Sequence, residues 1–397
     1  MQANSSSTRP GLAVIANCMT PYRANLHALI AAGIPELKLH TLITHGPAEF
    51  DWATQVPPSI HATYFNDPGD SALARFTYAP LQEWRKGARL IDYLGANNIV
   101  AVVCGGYRYL SYLRVIGYCH RCQVPIFVRN DSNIKCDAQL PPLKQRAKRL
   151  AYRWWMPRVT GIMSMGEYGD QFFVKYGANP ERIYRVPYTP DYDQFMHIDE
   201  RQQAEFVRRF ELDGSRRRMI YSGRLVPLKR VDLLIDAFAA IAEQRPNWDL
   251  LIVGDGVQSE NLHQRVPESL RPRVTWTGFL EHSELIAAYH SADALVLPSD
   301  YEPWAVVIQE AMAAGLAIIA SDVVGAAHEL IDDRVTGRIF PAGDLAALTE
   351  AVLEVTDETH LSRYRDRSRP ALAAWRKRID PVANVRRALV DAGILET

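Results

Sequence analysis

Residues 294–321 read ALVLPSDYEPWAVVIQEAMAAGLAIIAS and hold a short apolar run at each end. The runs at 294–298 and 317–321 have the length of buried strands, and the segment between them has the apolar content of a buried helix. A helix that connects two buried strands makes those strands parallel. This stretch therefore predicts a parallel sheet with helices on its faces, which is the α/β class.

The same alternation of strands and helices extends along the chain from this stretch. Further strands are predicted at residues 12–17, 37–44, 99–104, 125–130, 161–165, 183–187, 219–222, 249–253 and 274–277. A polar stretch at 189–217 separates two series of strands, and 397 residues exceed the usual size of a single core. We therefore expect two Rossmann-like doubly wound domains that face each other across a cleft.

The domain bounds follow from the two series of strands. We expect residues 1–200 to form the first domain and residues 201–375 to form the second. An amphipathic segment at 382–389 remains after the second series, and we expect it to belong to a C-terminal helix, 376–397, that joins the first domain. Asp344 is the predicted N-cap of a helix that follows it.

Composition and charge exclude several classes of protein. The chain has 45 Lys plus Arg and 45 Asp plus Glu, so we expect no nucleic-acid partner. The opening MQANSSSTRP is polar, and the apolar run after it is too short for a secretion signal or a membrane span. Five cysteines are an odd, low number that favours reduced thiols and a cytoplasmic location. Cys119 and Cys122 lack the second pair of ligands that a structural zinc site needs.

The turns after the strands of the second series are candidate site segments, because ligands of open parallel sheets bind beyond the carboxyl ends of strands. The turn after 219–222 contains Gly223, Arg224 and Lys229. The glycine allows close approach of the backbone to a ligand, and an arginine fork with a lysine point charge suits a diphosphate. Gly254 lies in a Gly-Asp-Gly turn, which is a weaker signal because this composition is common in turns.

Two glutamates mark the third turn and the helix that follows it. Glu310 has apolar neighbours on nearly every face of this helix, so its carboxylate needs partners, and a ribose diol would supply two donors. Glu302 lies at the helix start, where free amides and the helix dipole favour a phosphate. In an alternative that stays open, Glu302 caps the helix and Glu310 pairs with a core arginine. A fourth turn, 321–326, brings Gly325 toward the same region.

Taken together, these segments resemble family 4 of the retaining glycosyltransferases, which have the GT-B fold. The resemblance rests on GRLVPLKR at 223–230, VGDG at 253–256, TGF at 277–279, LPSDYEPWAVVIQEAMAAG at 297–315 and SDVVGAAHEL at 321–330. It covers nearly all of the second domain and is looser in the first, which would bind the acceptor. The implied activity is transfer of a sugar from a nucleotide-diphosphate sugar to a saccharide or lipid-linked acceptor, in polysaccharide or glycolipid biosynthesis.

The resemblance also implies roles for single residues. Arg224 and Lys229 would hold the donor diphosphate, beside Gly223 and Gly254. Glu310 would bind the ribose hydroxyls, and Glu302 would contact the transferred sugar. The family often has Gly-Phe-Gly where this chain has Pro-Trp-Ala at 303–305, and a proline has no amide to donate. The phosphate contacts would therefore come from the amides of Trp304, Ala305, Val306 and Val307.

The first domain departs from the family pattern in two loops. The usual glycine-rich loop after the first strand is replaced here by CMTPYR at 18–23, which puts backbone approach to phosphate in doubt. Where family members commonly have a histidine facing the donor sugar, this chain has Asp131. An acid there could bind sugar hydroxyls or stabilise a cationic anomeric carbon. In the alternative reading Asp131 is an ordinary turn residue.

The resemblance implies front-face substitution, in which the departing phosphate oxygen accepts the proton of the acceptor. Arg224, Lys229 and the helix amides would neutralise the leaving diphosphate, so we expect no metal and no other cofactor. A double displacement through Glu302 or Asp131 stays open. So do a phosphorylase of the same fold and a non-catalytic partner subunit that keeps the nucleotide pocket.

The segment 144–158 has six basic residues and no acidic ones, with three aromatic residues interleaved. Such a segment is typical of a surface that docks on anionic lipid headgroups, which would place the protein at the inner face of the membrane. In the alternative, the segment is a solvated helix whose tryptophans pack into the core, as aromatic residues at helical spacing usually do.

Overall fold

The computed structural model describes residues 9–46, 56–66 and 80–396, so the first eight residues of the polar opening segment lie outside the described part. The chain divides into two compact units. Unit 1 consists of Met1–Pro190 and Ile379–Thr397, and unit 2 consists of Asp191–Arg378. The division lies after Pro190 rather than after residue 200, and the chain re-enters unit 1 at Ile379 rather than at residue 376.

Unit 1 is built on one parallel sheet. Its strands are β1 (Gly11–Ala16), β2 (Lys38–Ile43), β3 (Ala62–Tyr64), β4 (Ile99–Cys104), β5 (Ile126–Arg129), β6 (Gly161–Ser164) and β7 (Ile183–Arg185). Its helices are α1 (Pro21–Gly33), α2 (Pro80–Ala96), α3 (Leu110–Arg121), α4 (Ile134–Ala138), α5 (Pro142–Trp155), α6 (Glu167–Lys175) and α16 (Pro381–Asp391). The sheet order is β3-β2-β1-β4-β5-β6-β7.

Helices cover both faces of this sheet, which explains why its central strands β1 and β4 are apolar throughout. Successive side chains of a strand point to opposite faces, and β1 shows this clearly. Ala13 and Ile15 enter one buried core, and Leu12 and Val14 enter another. Each strand of unit 1 that the sequence predicted is present, and the prediction missed the short edge strand β3.

Unit 2 repeats this architecture with a second parallel sheet. Its strands are β8 (Arg217–Ser222), β9 (Trp248–Val253), β10 (Val274–Gly278), β11 (Ala294–Leu297), β12 (Ala317–Ser321) and β13 (Arg338–Phe340). Its helices are α7 (Tyr192–Met196), α8 (Glu200–Arg209), α9 (Val231–Ile241), α10 (Ser259–Arg265), α11 (His282–His290), α12 (Val306–Ala314), α13 (Gly325–Leu330), α14 (Leu345–Val355) and α15 (Glu358–Arg378). The sheet order is β10-β9-β8-β11-β12-β13.

The stretch around residue 300 folds as its sequence predicts, because β11 and β12 pair in parallel through the crossover helix α12. Asp344 caps α14 by accepting a hydrogen bond from the amide of Ala347 at 2.9 Å. The prediction missed β13, which is again a short edge strand. The expectation of two Rossmann-like α/β domains is thus confirmed for the fold of each unit.

The boundary between the units lies earlier than expected because α7 and α8 pack on unit 2. Tyr192 of α7 accepts a hydrogen bond from the buried side chain of Gln309 at 2.7 Å. Gln203 of α8 donates to the carbonyl of His290 at 3.0 Å. The C-terminal helix α16 packs on unit 1, where Arg386 pairs with Glu36 at 2.8 Å.

The strand order reverses direction once in each sheet, between β1 and β4 in unit 1 and between β8 and β11 in unit 2. At such a switch point the two connections leave on opposite sides and open a crevice at the carboxyl ends of the strands. Each unit therefore offers one place where a ligand site is expected. Among the described residues, no helix is both long enough and apolar enough to cross a bilayer.

Candidate functional site

The switch point of unit 2 holds the predicted donor-site residues. Gly223 and Arg224 follow β8 directly, and the turn 299–305 follows β11, so the two turns start from neighbouring strands. The amide of Asp300 donates to the carbonyl of Leu228 at 2.9 Å, which joins these turns through their backbones. The sheet thus brings together residues that lie about 70 positions apart in the sequence.

The glycines of this region are required by the close contact of two turns. Gly223 and Gly254 have φ angles of 155° and 127°, in the region that favours glycine. A Cβ on Gly254 would lie 2.0 Å from the carbonyl oxygen of Gly223, which no side chain tolerates. Packing of the two turns therefore accounts for Gly254 without a ligand, and its role in donor binding stays a prediction.

Two ion pairs link the turns after β8 and β11. The ammonium of Lys229 contacts the carboxylate of Glu302, and both side chains are largely buried. Arg230 contacts Asp300 at 2.9 Å and Asp232 at 3.1 Å. The structure therefore brings Lys229 and Glu302, predicted to hold the donor diphosphate and the sugar, into direct contact with each other.

Arg224 lies at the same site, half-buried, one residue after Gly223. Its backbone carbonyl accepts a hydrogen bond from the hydroxyl of Tyr221 at 3.0 Å. Burial raises the pKa of Tyr221 far above its usual value; the charge of Glu302 raises it further, and that of Arg224 opposes the rise. The charges of both predicted site residues, Glu302 and Arg224, therefore act on the buried hydroxyl group of Tyr221.

Glu310 lies on α12 and is almost fully buried, with 9% of its surface exposed. Its carboxylate accepts a hydrogen bond from Tyr289 at 3.0 Å. Among the described residues no arginine or lysine pairs with it, so the alternative of a core arginine is not what the structure contains. Burial raises the pKa of Glu310 to about 7, against a hydrogen bond from Tyr289 that lowers it. This carboxylate accepts fewer hydrogen bonds than its two oxygen atoms allow, as expected of a group that binds ribose hydroxyls.

The indole of Trp304 supports the turn and is buried. Its ring nitrogen donates to Gln309 at 3.0 Å, and Gln309 in turn donates to Tyr192 at 2.7 Å. Only 3% of the Trp304 surface is exposed. The side chain therefore fixes the turn against α12 and α7, and only the backbone of Trp304 is available for the predicted phosphate contact.

Ala305 is the N-cap of α12 and has a φ angle of 77°. This left-handed conformation strains a residue with a Cβ, by about 1–2 kcal/mol. It lies where the family often has glycine, and it turns the chain abruptly into α12. The amides of Val306 and Val307 belong to the first turn of that helix, where backbone donors have no partner within the helix. An anion is favoured at such a helix start.

The fourth predicted turn holds the third in place. Gly325 at the start of α13 donates its amide to the carbonyl of Glu302 at 3.3 Å, and the amide of Ala326 donates to Trp304 at 2.8 Å. The hydroxyl of Ser321 donates to the carbonyl of Ser299 at 2.6 Å. The prediction that Gly325 approaches this region is thus confirmed.

The switch point of unit 1 holds a cavity of about 240 Å³ at the carboxyl ends of β1, β4 and β5. Asp131, which follows β5, lines this cavity together with Arg23 and Arg129. The hydrogen bonds of the surrounding turn are made by its neighbours, because Asn130 accepts from Ser132 at 2.6 Å and Asn133 caps α4. Whether Asp131 faces a donor sugar stays a prediction.

The sequence reasoning missed most of this cavity. Gly105 and Gly106 follow β4 and form part of its lining, and a Cβ on Gly105 would lie 2.6 Å from the carbonyl oxygen of Ile15. The sequence feature that could have predicted this part of the cavity is the Gly-Gly pair directly after the apolar run at 99–104. Close packing of the turn after β4 against β1 therefore requires glycine at position 105. Arg129, the last residue of β5, was a second overlooked signal.

The segment 144–158 forms most of α5 and the turn after it. Its side chains agree in part with the membrane-docking hypothesis and in part with the alternative of packing into the core. Tyr152 and Trp155 are buried, as the core reading requires. Leu143, Leu150 and Trp154 lie on one face of the helix, and 76%, 67% and 47% of their surfaces are exposed. Exposed basic residues flank this apolar face, namely Lys144, Arg146, Arg149 and Arg153.

Metal ligands are not clustered in the part of the chain that the structure describes, where no three His, Cys, Asp or Glu side chains could hold an ion together. Cys119 is buried and Cys122 is exposed, and both are free thiols. The expectation that the reaction requires no metal stays a prediction.

Comparison with known proteins finds similarity in the part of the chain that contains the site of unit 2. Residues 202–370 match the protein family described as "Glycosyl transferases group 1". Alpha-D-kanosaminyltransferase of Streptomyces kanamyceticus is 33% identical over 236 residues, which cover 59% of this chain and 60% of that enzyme. The chain thus matches less than two thirds of the length of this relative.

Two solved structures share the fold over nearly the whole chain. Sucrose-phosphate synthase of Thermosynechococcus elongatus has a TM-score of 0.75 and 18% identity, and covers 97% of this chain and 100% of its own. An Anabaena protein solved in complex with UDP and glucose has a TM-score of 0.71 and 17% identity, with the same coverage. The chain therefore has the GT-B fold, and its residues 202–370 are similar to the group 1 glycosyltransferase family.

Proposed function

We propose that this protein is a retaining glycosyltransferase of family 4 that takes its sugar from a nucleotide-diphosphate donor. The observation that carries the proposal is the joining of Lys229 and Glu302 at the switch point of unit 2, with Glu310 buried on the adjoining helix. The group 1 domain and the relatives named as glycosyltransferases support it. So does the structural neighbour that was solved with UDP and glucose.

In this proposal, catalysis depends on neutralising the leaving diphosphate. Lys229 and Arg224 supply two cations, and the amides at the start of α12 supply donors and the positive end of the helix dipole. Preorganised groups of this kind stabilise the charge that develops in the transition state, and removal of one costs about 2.7–4 kcal/mol. Arg224 and Lys229 are therefore the principal catalytic residues.

The acidic residues orient the two halves of the donor. Glu310 accepts hydrogen bonds from the ribose diol, which completes the partners of a carboxylate that has Tyr289 alone in the unliganded protein. Glu302 leaves Lys229 and binds a hydroxyl of the transferred sugar. Asp131 in unit 1 binds the sugar or stabilises the cationic anomeric carbon, and the acceptor is a saccharide or a lipid-linked saccharide. The departing phosphate oxygen takes the acceptor proton, which retains the anomeric configuration.

The proposed reaction uses no metal and no other cofactor, because side-chain cations balance the diphosphate. Transfer should therefore continue at an undiminished rate in excess EDTA. A loss of activity that added Mg²⁺ or Mn²⁺ restores would contradict this part of the proposal.

The function is tested by following release of nucleoside diphosphate from a panel of nucleotide sugars, with and without acceptors. We expect slow hydrolysis by the wild-type protein and a loss of at least about 100-fold in Lys229→Ala. Lys377→Ala is the matched control, because Lys377 is an exposed lysine of α15 in the same unit. Determination of the anomeric configuration of the product by NMR tests retention.

Failure has two distinct forms in this assay. A Lys229→Ala variant that keeps more than about a tenth of the wild-type rate would show that Lys229 lies outside the site. A wild-type protein that binds a nucleotide sugar and never releases the diphosphate would favour the non-catalytic partner subunit.

We also propose that the protein binds the anionic inner face of the membrane through α5. The exposed Leu143, Leu150 and Trp154 form an apolar face between exposed basic residues, as in helices that lie in the headgroup region. Each basic residue near the surface contributes about 1 kcal/mol of attraction to anionic lipid. This position would bring the enzyme to lipid-linked acceptors.

Co-sedimentation with vesicles tests this attachment. We expect binding to vesicles that contain phosphatidylglycerol, no binding to pure phosphatidylcholine, and a steep decrease with salt. Trp154→Ala should weaken binding, whereas Trp84→Ala should not, because Trp84 is equally exposed on α2 outside the basic face. Equal binding to both kinds of vesicle, or none at low salt, would leave a soluble saccharide as the acceptor.

A further inference from the structure

The cavity of unit 1 is lined by more basic than acidic side chains. Three arginines line it, Arg23, Arg108 and Arg129, and Asp131 is the single acid among the described lining residues. Placing like charges side by side in a partly buried space is unfavourable unless an anion joins them. The composition of the cavity therefore points to a ligand that carries negative charge.

The hydrogen bonds of the two inner arginines go to neutral groups. Arg23 donates to the side-chain oxygen of Asn17 at 2.6 Å and to the carbonyl of Cys18 at 2.7 Å. Arg129 donates through Nε to the carbonyl of Val186 at 2.9 Å. No carboxylate of the described residues lies within ion-pair distance of either guanidinium.

Arg129 also has one hydrogen-bond donor atom without a partner among the described residues. Its Nη2 atom is buried and has no hydrogen-bond partner among the described residues. Buried donors without a partner are rare in native proteins, and an absent ligand is one physical explanation. The guanidinium lies 4.6 Å from the centre of the Tyr188 ring, and Arg23 lies 5.7 Å from the same ring. Tyr188 therefore holds both cations close to one point in the cavity.

The electrostatics of the neighbouring groups agree with this geometry. Burial, reinforced by the charges of Arg129 and Arg23, lowers the pKa of His27 to about 3. Burial lowers the pKa of Arg129 to about 10, so this side chain stays charged at neutral pH. The cavity thus presents a neutral imidazole and permanent cations, which is a donor-rich setting for carboxylate or phosphate oxygens.

We propose that the acceptor is an acidic saccharide, whose carboxylate or phosphate group binds between Arg23 and Arg129 in the cavity of unit 1. This inference rests on the proposed function and specifies its acceptor. A volume of about 240 Å³ is below that of a site for a drug-sized ligand, and suits one sugar unit with its acid group. Asn17 and Tyr109 supply polar groups for hydroxyls on the same wall.

The test is ligand binding to the full chain, measured by thermal shift and calorimetry. The probes are glucose, glucuronate, glucose 6-phosphate and inorganic phosphate, each alone, and the nucleoside diphosphate of the donor. We expect glucuronate or glucose 6-phosphate to bind at least about tenfold more tightly than glucose, because a charge-assisted hydrogen bond contributes that much. Whichever acid binds more tightly identifies the group.

Variants assign this binding to the cavity. Arg129→Gln and, separately, Arg23→Gln should lose the preference for the acid over glucose, with nucleoside diphosphate affinity unchanged within about twofold. Arg121→Gln is the matched control, since Arg121 is exposed at the end of α3 in the same unit. If neither of these two variants folds, the preference of the wild-type protein for acids over glucose still tests the proposal.

Three results would overturn the proposal. Equal binding of glucose and the acids would remove the anion requirement. Equal binding of inorganic phosphate and glucose 6-phosphate would mean that the cavity binds a free anion and no sugar. A tenfold or greater loss of nucleoside diphosphate affinity in Arg129→Gln would assign the arginines to the donor. Donor hydrolysis is measured on the same protein, so an inactive protein that still prefers acids would contradict the proposed function alone.

Discussion

The two units carry charged side chains at the same topological position and balance those charges in opposite ways. In unit 2, Lys229 is paired with Glu302 and Arg230 with Asp300. In unit 1, Arg23 and Arg129 donate to neutral oxygen atoms. One switch point is therefore already neutral without a ligand, and the other keeps an excess of cations.

This difference predicts how each site responds to an anion. A ligand of unit 2 must displace a carboxylate from Lys229, so part of its binding energy is offset by the lost ion pair. A ligand of unit 1 meets two cations whose hydrogen bonds go to neutral atoms, so it displaces no carboxylate from them. In the proposed function, exchange of partners suits a diphosphate that must leave after each turnover, whereas excess charge suits recognition of a particular acceptor.

The largest expected effect comes from breaking the ion pair of unit 2. Glu302→Gln should lower transfer by about 100-fold, because a neutral amide replaces the charge-assisted contact to the sugar. It should also raise nucleoside diphosphate affinity by about fivefold, because Lys229 loses its competing partner. Calorimetry and a turnover assay measure the two effects, with Glu243→Gln as control, because Glu243 is exposed in the turn after α9. A decrease in both quantities would mean that the pair does not compete with the diphosphate.

Removal of the single acid of the unit 1 cavity should have the next largest effect. Asp131→Ala should lower turnover by at least about tenfold and leave nucleoside diphosphate affinity unchanged, because the contact involves only the sugar. The exposed Asp92 of α2 provides the control, Asp92→Ala. Unchanged turnover in Asp131→Ala would assign this residue to the turn.

The third prediction concerns Glu310, a buried acid of unit 2 that has no cationic partner among the described residues. The pKa of Glu310 is about 7 in the folded protein against 4.5 for an ordinary glutamate, so the folded state binds more protons between these values. The stability of the wild-type protein should therefore fall as pH rises from about 5 to 8. Glu310→Gln should remove this dependence and be the more stable protein at pH 8, by about 1–3 kcal/mol.

Denaturation of both proteins at pH 5 and pH 8 measures this difference. The difference in the free energy of unfolding should be small at pH 5 and should grow with pH. A constant difference between the two proteins would mean that the Glu310 carboxylate is ionised over the whole range, with a partner in the folded protein.

The smallest expected effect is a gain in stability from relieving the backbone at the start of α12. Ala305→Gly should stabilise the protein by about 0.5–1 kcal/mol, since the strain at positive φ exceeds the added entropy of the unfolded glycine. Ala373→Gly in the exposed middle of α15 should instead destabilise it by about 1 kcal/mol. Urea denaturation compares the two, and equal destabilisation would show that Ala305 is unstrained in solution.

The sequence predicted the parts of this structure that depend on local pattern. Buried parallel strands are short apolar runs, so β8 to β12 were recognisable one by one. The edge strands β3 and β13 have three residues each and were missed, whereas β7, of the same length, was recognised as part of the longer run 183–187. The turn residues Lys229 and Glu302 were predicted because the family motif is itself local.

The contacts between distant residues could not be predicted in the same way. The pairing of Lys229 with Glu302 and the partner of Glu310 depend on strand order, which the sequence does not state. The cavity of unit 1 combines residues after β1, β4 and β5, and no one of these segments is unusual by itself. Only the sheet order brings their charges together, so Arg23 and Arg129 were overlooked. Asp131 was predicted because it stands where the family has a histidine.

The packing of α16 on unit 1 has a consequence for biosynthesis. Residues of unit 1 lie on both sides of unit 2 in the sequence, and Val385 and Leu389 of α16 are buried in a core with Leu26 and Ile30. Each such side chain contributes about 1.5–3 kcal/mol by leaving water. A ribosome therefore completes all of unit 2 before it releases the helix that closes this core. Unit 1 is thus the unit whose synthesis starts first and the one that is completed last. Until α16 is released, the apolar surface that this helix covers is exposed to solvent.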